Sequence, residues 1–186
     1  ERLQRLRQRP VTIWFIGLPR SGKSSIAKAL ERALFDIGLQ VHVLHGESLR
    51  NGLNSDLGFS GADRWENQRR AAEVARLSNE IGLICIVSTV SPLKADREQA
   101  KRIVGGERFL TVYCNAPLSV CEDRDTVGLY KKARAGEIRN VTGIDAPFEP
   151  PGNAEILLDT DQSTISDCVQ TILRELRARE LIKVEG

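Results

Sequence analysis

The sequence predicts an α/β fold in which five parallel strands form one sheet flanked by helices. Three observations carry this expectation. Short β-branched runs alternate with longer segments of helical periodicity from residue 11 onward, and a G-x-x-x-x-G-K-S run lies between the first strand and the first helix. Beyond the fourth strand, residues 125–153 are rich in Gly, Pro, Lys and Arg and lack periodicity, as a lid segment would.

The elements follow in order. Residues 1–10 (ERLQRLRQRP) alternate Arg with Leu and stop at a proline, which suits a short helix or a solvated linker, so the domain proper is expected over 11–186. Residues 11–16 (VTIWFI) are too short for a helix and end at Gly17, the pattern of a buried strand. A helix is expected over 24–36, with Ile26, Ala29, Leu30, Ala33 and Leu34 on one face and Gly38 as its stop. A strand at 41–44, a long helix at 63–81 and a strand at 83–87 repeat the alternation. A helix at 94–104, strands at 108–114 and 155–158, and a closing helix at 164–182 complete the core.

Composition narrows the function classes. The 186 residues are 41% hydrophobic, enough for one domain with a packed core. Lys and Arg total 27 against 25 for Asp and Glu, so a net charge of +2 gives no broad electrostatic reason to bind nucleic acid. No apolar run approaches the ~18 residues of a membrane span, and nothing near the start has the order of a signal peptide; a soluble, cytoplasmic protein is expected. Cys85, Cys114, Cys121 and Cys168 are scattered without a C-x-x-C pair, which argues for buried free thiols over zinc or disulfides. The chain starts at Glu1 and has no Met, so a domain cut from a longer protein is expected.

Gly17-Leu18-Pro19-Arg20-Ser21-Gly22-Lys23-Ser24 is a P-loop in its required setting, after a buried strand and at a helix start. Glycines let backbone N–H groups wrap an anion, and the helix N-terminus adds partial positive charge. Lys23 is then expected to reach the β- and γ-phosphates of ATP, and the Ser24 hydroxyl to ligate Mg²⁺. Many P-loop NTPases add a metal-binding aspartate at the end of another strand, but here the third strand runs into Ser88-Thr89. The nearest acid is Glu47, after the second strand, which favours a small-molecule kinase over a motor or GTPase.

At residues 46–70, GESLRNGLNSDLGFSGADRWENQRR resembles the pattern of the adenylylsulfate kinase (APS kinase) family, in which a G-D-N-x-R turn precedes GLN-x-DLGFS and DR-x-EN-x-RR. Residues 84–97 (ICIVSTVSPLKADR) resemble that family's I-S-P segment and D-R pair, and 128–145 (GLYKKARAGEIRNVTGID) its lid. The resemblance implies transfer of the ATP γ-phosphate to the 3′-hydroxyl of adenosine 5′-phosphosulfate (APS). It implies that Glu47 is the general base and that Arg50, Phe59, Arg64 and Asn67 contact APS. Such a substrate has a purine to stack and a phosphosulfate to pair with guanidinium. Ser91 falls on the I-S-P serine, described in the family as a phosphoserine intermediate. In-line transfer between two bound substrates needs positioning more than a nucleophile, so Ser91 is expected to orient substrate at the mouth of the third strand. Lys132 and Arg134 are expected to clamp the ATP phosphates as the lid closes.

Three departures stand out. The family's D-G-D turn is His45-Gly46-Glu47; Val127 replaces a lysine before G-L-Y, and Val141 an aromatic before T-G. Losing that ring is expected to weaken APS binding by ~1–3 kcal/mol, with ATP binding less affected. A weakened kinase-like domain that binds nucleotides for regulation therefore stands beside the active kinase, as does a kinase for another small alcohol. The resemblance further implies a homo-oligomer and fusion to, or pathway coupling with, an ATP sulfurylase.

Overall fold

The computed structural model describes residue 6 and residues 8–183. Most of the 1–10 leader lies outside the described residues. Within it Gln8 is buried, and its side-chain amide donates to the carbonyls of Gln40 (2.7 Å) and Gly82 (2.9 Å).

The sheet has five strands in the order β2-β3-β1-β4-β5, all parallel. They are β1 (Thr12–Ile16), β2 (Val41–His45), β3 (Ile84–Ser88), β4 (Phe109–Asn115) and β5 (Ile156–Asp159). Every residue of β1 and β3 is buried, as continuous apolar runs flanked on both faces require. Helices α1 (Lys23–Asp36) and α7 (Ile165–Ala178) pack together on one face, where Ile26, Leu30, Leu34, Ile172 and Leu176 meet Ile13, Phe15 and Val112. Helices α3 (Gly61–Glu80) and α4 (Lys94–Val104) cover the other with Ala71, Ala72, Ala75 and Ala100 against Trp14, Ile16 and Val87. Capping boxes start α3 (Ser60 with Asp63) and α7 (Thr164 with Asp167), each donating the N3 amide to the cap hydroxyl at 3.1 Å.

Three six-residue helices were not expected: α2 (Gly46–Asn51), α5 (Leu118–Asp123) and α6 (Leu129–Arg134), the last inside the 125–153 lid. The closing helix stops at Ala178, short of the expected 182, because Glu180 turns with φ 54° and Ile182 bridges antiparallel to Gln8. Around α5 and α6 a third apolar cluster forms from Ala116, Cys121, Tyr130 and Val141, with Leu18 of the P-loop packed against it. The four cysteines are buried free thiols, and no described helix is long and apolar enough to cross a membrane.

The chain passes from β1 out to β2 and returns to β3 between them, then crosses to β4 on the far side of β1. That reversal opens a crevice at the C-terminal ends of β1 and β3, the usual place for a ligand in an open parallel sheet.

Candidate active site

The P-loop fills the mouth of β1 and is braced from several sides. Gly17 approaches β4 so closely that a Cβ would lie 2.6 Å from the Cys114 carbonyl oxygen, so only glycine fits. Gly22, at φ 98°, turns the chain into α1. Tyr130 Oη donates to the Pro19 carbonyl (2.8 Å), and Thr160 Oγ1 to the Ser21 carbonyl (2.8 Å). Arg20, in a left-handed conformation, pairs with Asp125 at 3.3 Å, and the same carboxylate accepts the Tyr130 amide at the start of α6. The lid base and the phosphate loop are thereby fastened together.

Lys23 is 7% exposed and donates to the carbonyls of Gly17 (2.8 Å) and Leu18 (2.6 Å). Burial pushes its ammonium down from 10.5 to about 8. Ser24 is exposed, with its hydroxyl 3.5 Å from that of Ser88 at the end of β3. Among the described residues no cluster of His, Cys, Asp or Glu could hold a metal by itself. The donor set at this point is hydroxyl oxygen, which fits Mg²⁺, an ion that takes most of its shell from phosphates and water.

Beside the loop lies a cavity of about 420 Å³ lined by Arg20, Lys23, Ser24, Arg124, Thr160 and Cys168. Arg124 donates to the Thr160 carbonyl (2.7 Å), which lays an exposed guanidinium along the cavity wall. Sequence reading missed Arg124 and Thr160. Thr160 carried a signal of position alone, just past the end of β5 where the crevice of such a sheet lies, whereas Arg124, the C-cap of α5, carried none.

Across the crevice, the first turn of α2 places an exposed Glu47 at the end of β2. The Arg50 guanidinium sits 4.1 Å from the Phe59 ring centre and that of Arg64 5.6 Å from it, with the ring itself 54% exposed. Arg50 also donates to the Gly58 carbonyl (2.8 Å), and Arg64 to the carbonyls of Phe59 (3.1 Å) and Asn140 in the lid. Asn67 is buried, accepting from Asn54 Nδ2 (2.9 Å). Arg50, Phe59 and Arg64 therefore form one cluster, with Asn67 on the same helix as Arg64.

Three of the singled-out side chains are engaged within the fold. Ser91 does not present its hydroxyl to the crevice: the residue is 1% exposed, accepts from Trp14 Nε1 (2.7 Å) and lies 2.8 Å from Thr89 Oγ1. Arg134 is paired with Glu122 at 2.5 Å. Val141, at 6% exposure, belongs to the apolar cluster of the lid. Lys132 and Val127 are exposed. His45 is the N-cap of α2, in register with Ser88, and burial first, then the charge of Lys28, lowers its pKa.

The chain is similar to known proteins along nearly its whole length. A family model described as adenylylsulphate kinase matches residues 9–159. The adenylyl-sulfate kinase of Marinobacter nauticus is 49% identical over 183 residues, 98% of this chain and 92% of that protein. Among solved structures, the Mycobacterium tuberculosis APS kinase CysC in complex with AMPPNP and APS is 44% identical with a TM-score of 0.88, covering 91% of this chain and 99% of that one. A hexameric APS kinase from Thiobacillus denitrificans is 27% identical with a TM-score of 0.72, over 95% of this chain and 30% of that longer one.

Proposed function

The chain belongs to the adenylylsulphate kinase family, and from that premise we propose how its own residues carry the reaction. It is an ATP-dependent phosphotransferase that moves the γ-phosphate onto the 3′-hydroxyl of adenosine 5′-phosphosulfate. The observation that carries the assignment of roles is the pair of subsites flanking the P-loop. One is the cavity of Arg124 and Thr160, and the other the cluster of Arg50, Phe59 and Arg64. The first suits the base and ribose of ATP. The second offers a ring face for a purine and guanidinium for a phosphosulfate.

In this reading the backbone of 17–24 cradles the ATP phosphates, and Lys23 neutralises charge that grows on the transferring group. Ser24 would hold Mg²⁺, which would supply charge neutralisation for the phosphates there. Glu47 takes the proton of the 3′-hydroxyl; its first-turn position in α2 leaves the carboxylate on the open side of the crevice. Arg50, Phe59, Arg64 and Asn67 orient APS. Ser91 holds the 89–92 loop from inside, and Arg134 acts on phosphate only by exchanging its bond to Glu122. Lys132, exposed on α6, is the better placed of the two lid cations to reach the phosphates unaided.

The kinase unit is residues 11–186, with the lid at 125–153. The buried free thiols suit a reducing, cytoplasmic setting, and the hexameric relative supports assembly as a homo-oligomer. Coupling to an ATP sulfurylase, fused or separate, follows from the reaction, because that chemistry supplies APS. The test is ADP release from Mg·ATP by a coupled assay with and without APS. Release that depends on APS supports the reading, whereas nucleotide binding without APS-dependent release favours a regulatory module.

A further inference from the structure

Among the described residues, the groups assigned above leave one buried cation without a part. Arg97, in the first turn of α4, is 7% exposed. Its Nη1 donates to the carbonyls of Ser91 (2.8 Å) and Pro92 (3.0 Å), and its Nη2 to the carbonyl of Glu149 (2.8 Å). The first two acceptors belong to the loop after β3, and the third to the C-terminal root of the lid.

Both ends of this bridge are tied to the site. On one side, the Val90 carbonyl accepts the amide of Gly17, the first residue of the P-loop, at 3.3 Å. Ser91, held at φ 47°, is fixed by the Trp14 indole at 2.7 Å. On the other side, the Glu149 amide donates to the Pro92 carbonyl at 2.8 Å, and the Glu149 carboxylate accepts the Lys94 amide at the start of α4 at 2.5 Å. A continuous set of bonds thus runs from phosphate loop to β3 loop to guanidinium to lid root.

We propose that Arg97 is a positioning residue for the second substrate, locking the 90–92 loop to the lid root so that the lid closes on APS in register with the P-loop. The inference rests on the kinase reading above. A planar fork of donors can reach three carbonyls on two segments at once, which the single ammonium of lysine cannot do. Loosening the bridge reaches the ATP cradle only through the 3.3 Å Gly17–Val90 bond, while the braces from Tyr130, Thr160 and Asp125 do not pass through Arg97 and hold the loop. What it shifts is the lid against the APS side, where displacements of about 1 Å can cost as much as a hundredfold.

The experiment measures KM for APS, kcat, AMPPNP affinity and thermal midpoint for the wild type, Arg97→Lys and Glu149→Ala. Arg97→Lys is expected to lower kcat/KM for APS by roughly ten- to a hundredfold, with AMPPNP affinity within about twofold of wild type. Glu149→Ala, at an exposed position, removes only the carboxylate from the lid root and is expected to raise KM for APS by about threefold. If Arg97→Lys does not fold, Glu149→Ala decides alone. Unchanged KM for APS in the folded variants overturns the inference, as does an equal loss of AMPPNP affinity, which marks a merely structural role. A wild type without APS-dependent turnover overturns the kinase reading itself, and the inference with it.

Discussion

The two halves of the crevice, the P-loop side proposed for ATP and the Arg50–Phe59–Arg64 side proposed for APS, are built differently. The P-loop is clamped by the core, with Ser21 fully buried, Gly17 against Cys114, and Pro19 and Ser21 bonded to Tyr130 and Thr160. The APS side is made of exposed or half-buried side chains, Glu47, Arg50, Phe59 and Arg64, steadied mainly by loop carbonyls. Phosphate recognition by backbone amides tolerates no change of shape, so the fold fixes it. Recognition by side chains at loop tips is adjustable, and His45, Glu47, Val127 and Val141, the departures from the family pattern, all lie on that side or in the lid.

The largest expected effect is on the rigid half. Lys23→Ala should lower kcat on the order of a thousandfold while the thermal midpoint holds, since the ammonium acts on transition-state charge and adds no apolar packing. Steady-state turnover and a melting curve on the same preparation check this. Removing the carboxylate across the crevice with Glu47→Gln should reduce kcat by roughly a hundredfold and leave KM for ATP unchanged, a split visible in two-substrate kinetics. An equal rise in KM for ATP would erase the distinction between the halves.

The pH dependence sharpens it. Burial holds Lys23 at about 8 in the unliganded chain, against 10.5 in its ordinary state. Phosphate prefers the protonated form, so AMPPNP affinity should fall about tenfold between pH 7 and 9. The stability of the unliganded chain should gain a contribution over the same direction: between about 8 and 10.5 the unfolded state binds more protons than the folded one, so this term rises with pH. Both trends should vanish in Lys23→Ala, as titration followed by fluorescence or calorimetry can establish.

The smallest effect concerns Val141. Restoring the family's ring with Val141→Phe should not recover APS affinity. It should overpack the lid cluster of Cys121 and Tyr130 at a cost of ~1–3 kcal/mol. For a chain of this size, scanning calorimetry would read that as a drop of about 2–12 °C.

The sheet was legible because runs such as 11–16 and 83–87 are largely apolar, short and bounded by proline, glycine or serine, and the P-loop because all its requirements coincide in eight residues. The helices α2, α5 and α6 escaped because six residues cover less than two turns and show no period. Ser91 was placed by motif, yet motif position does not say which way a hydroxyl points. Its direction is set by Trp14, a partner far away in sequence. The Arg124–Thr160 wall was illegible for a similar reason, because the C-cap of α5 meets the residue after β5 only once the sheet exists. The pairing of Arg134 and the packing of Val141 were not legible because the lid builds its own small core and ion pairs, which a loop without periodicity does not announce.

The most direct test of the account is to follow the label from [γ-³²P]ATP with APS present and identify the product. The account predicts that the label appears on the 3′-oxygen of the adenylyl sulfate, at a rate that collapses in Lys23→Ala and Glu47→Gln. Label appearing only as inorganic phosphate, or at the same rate without APS, would contradict it.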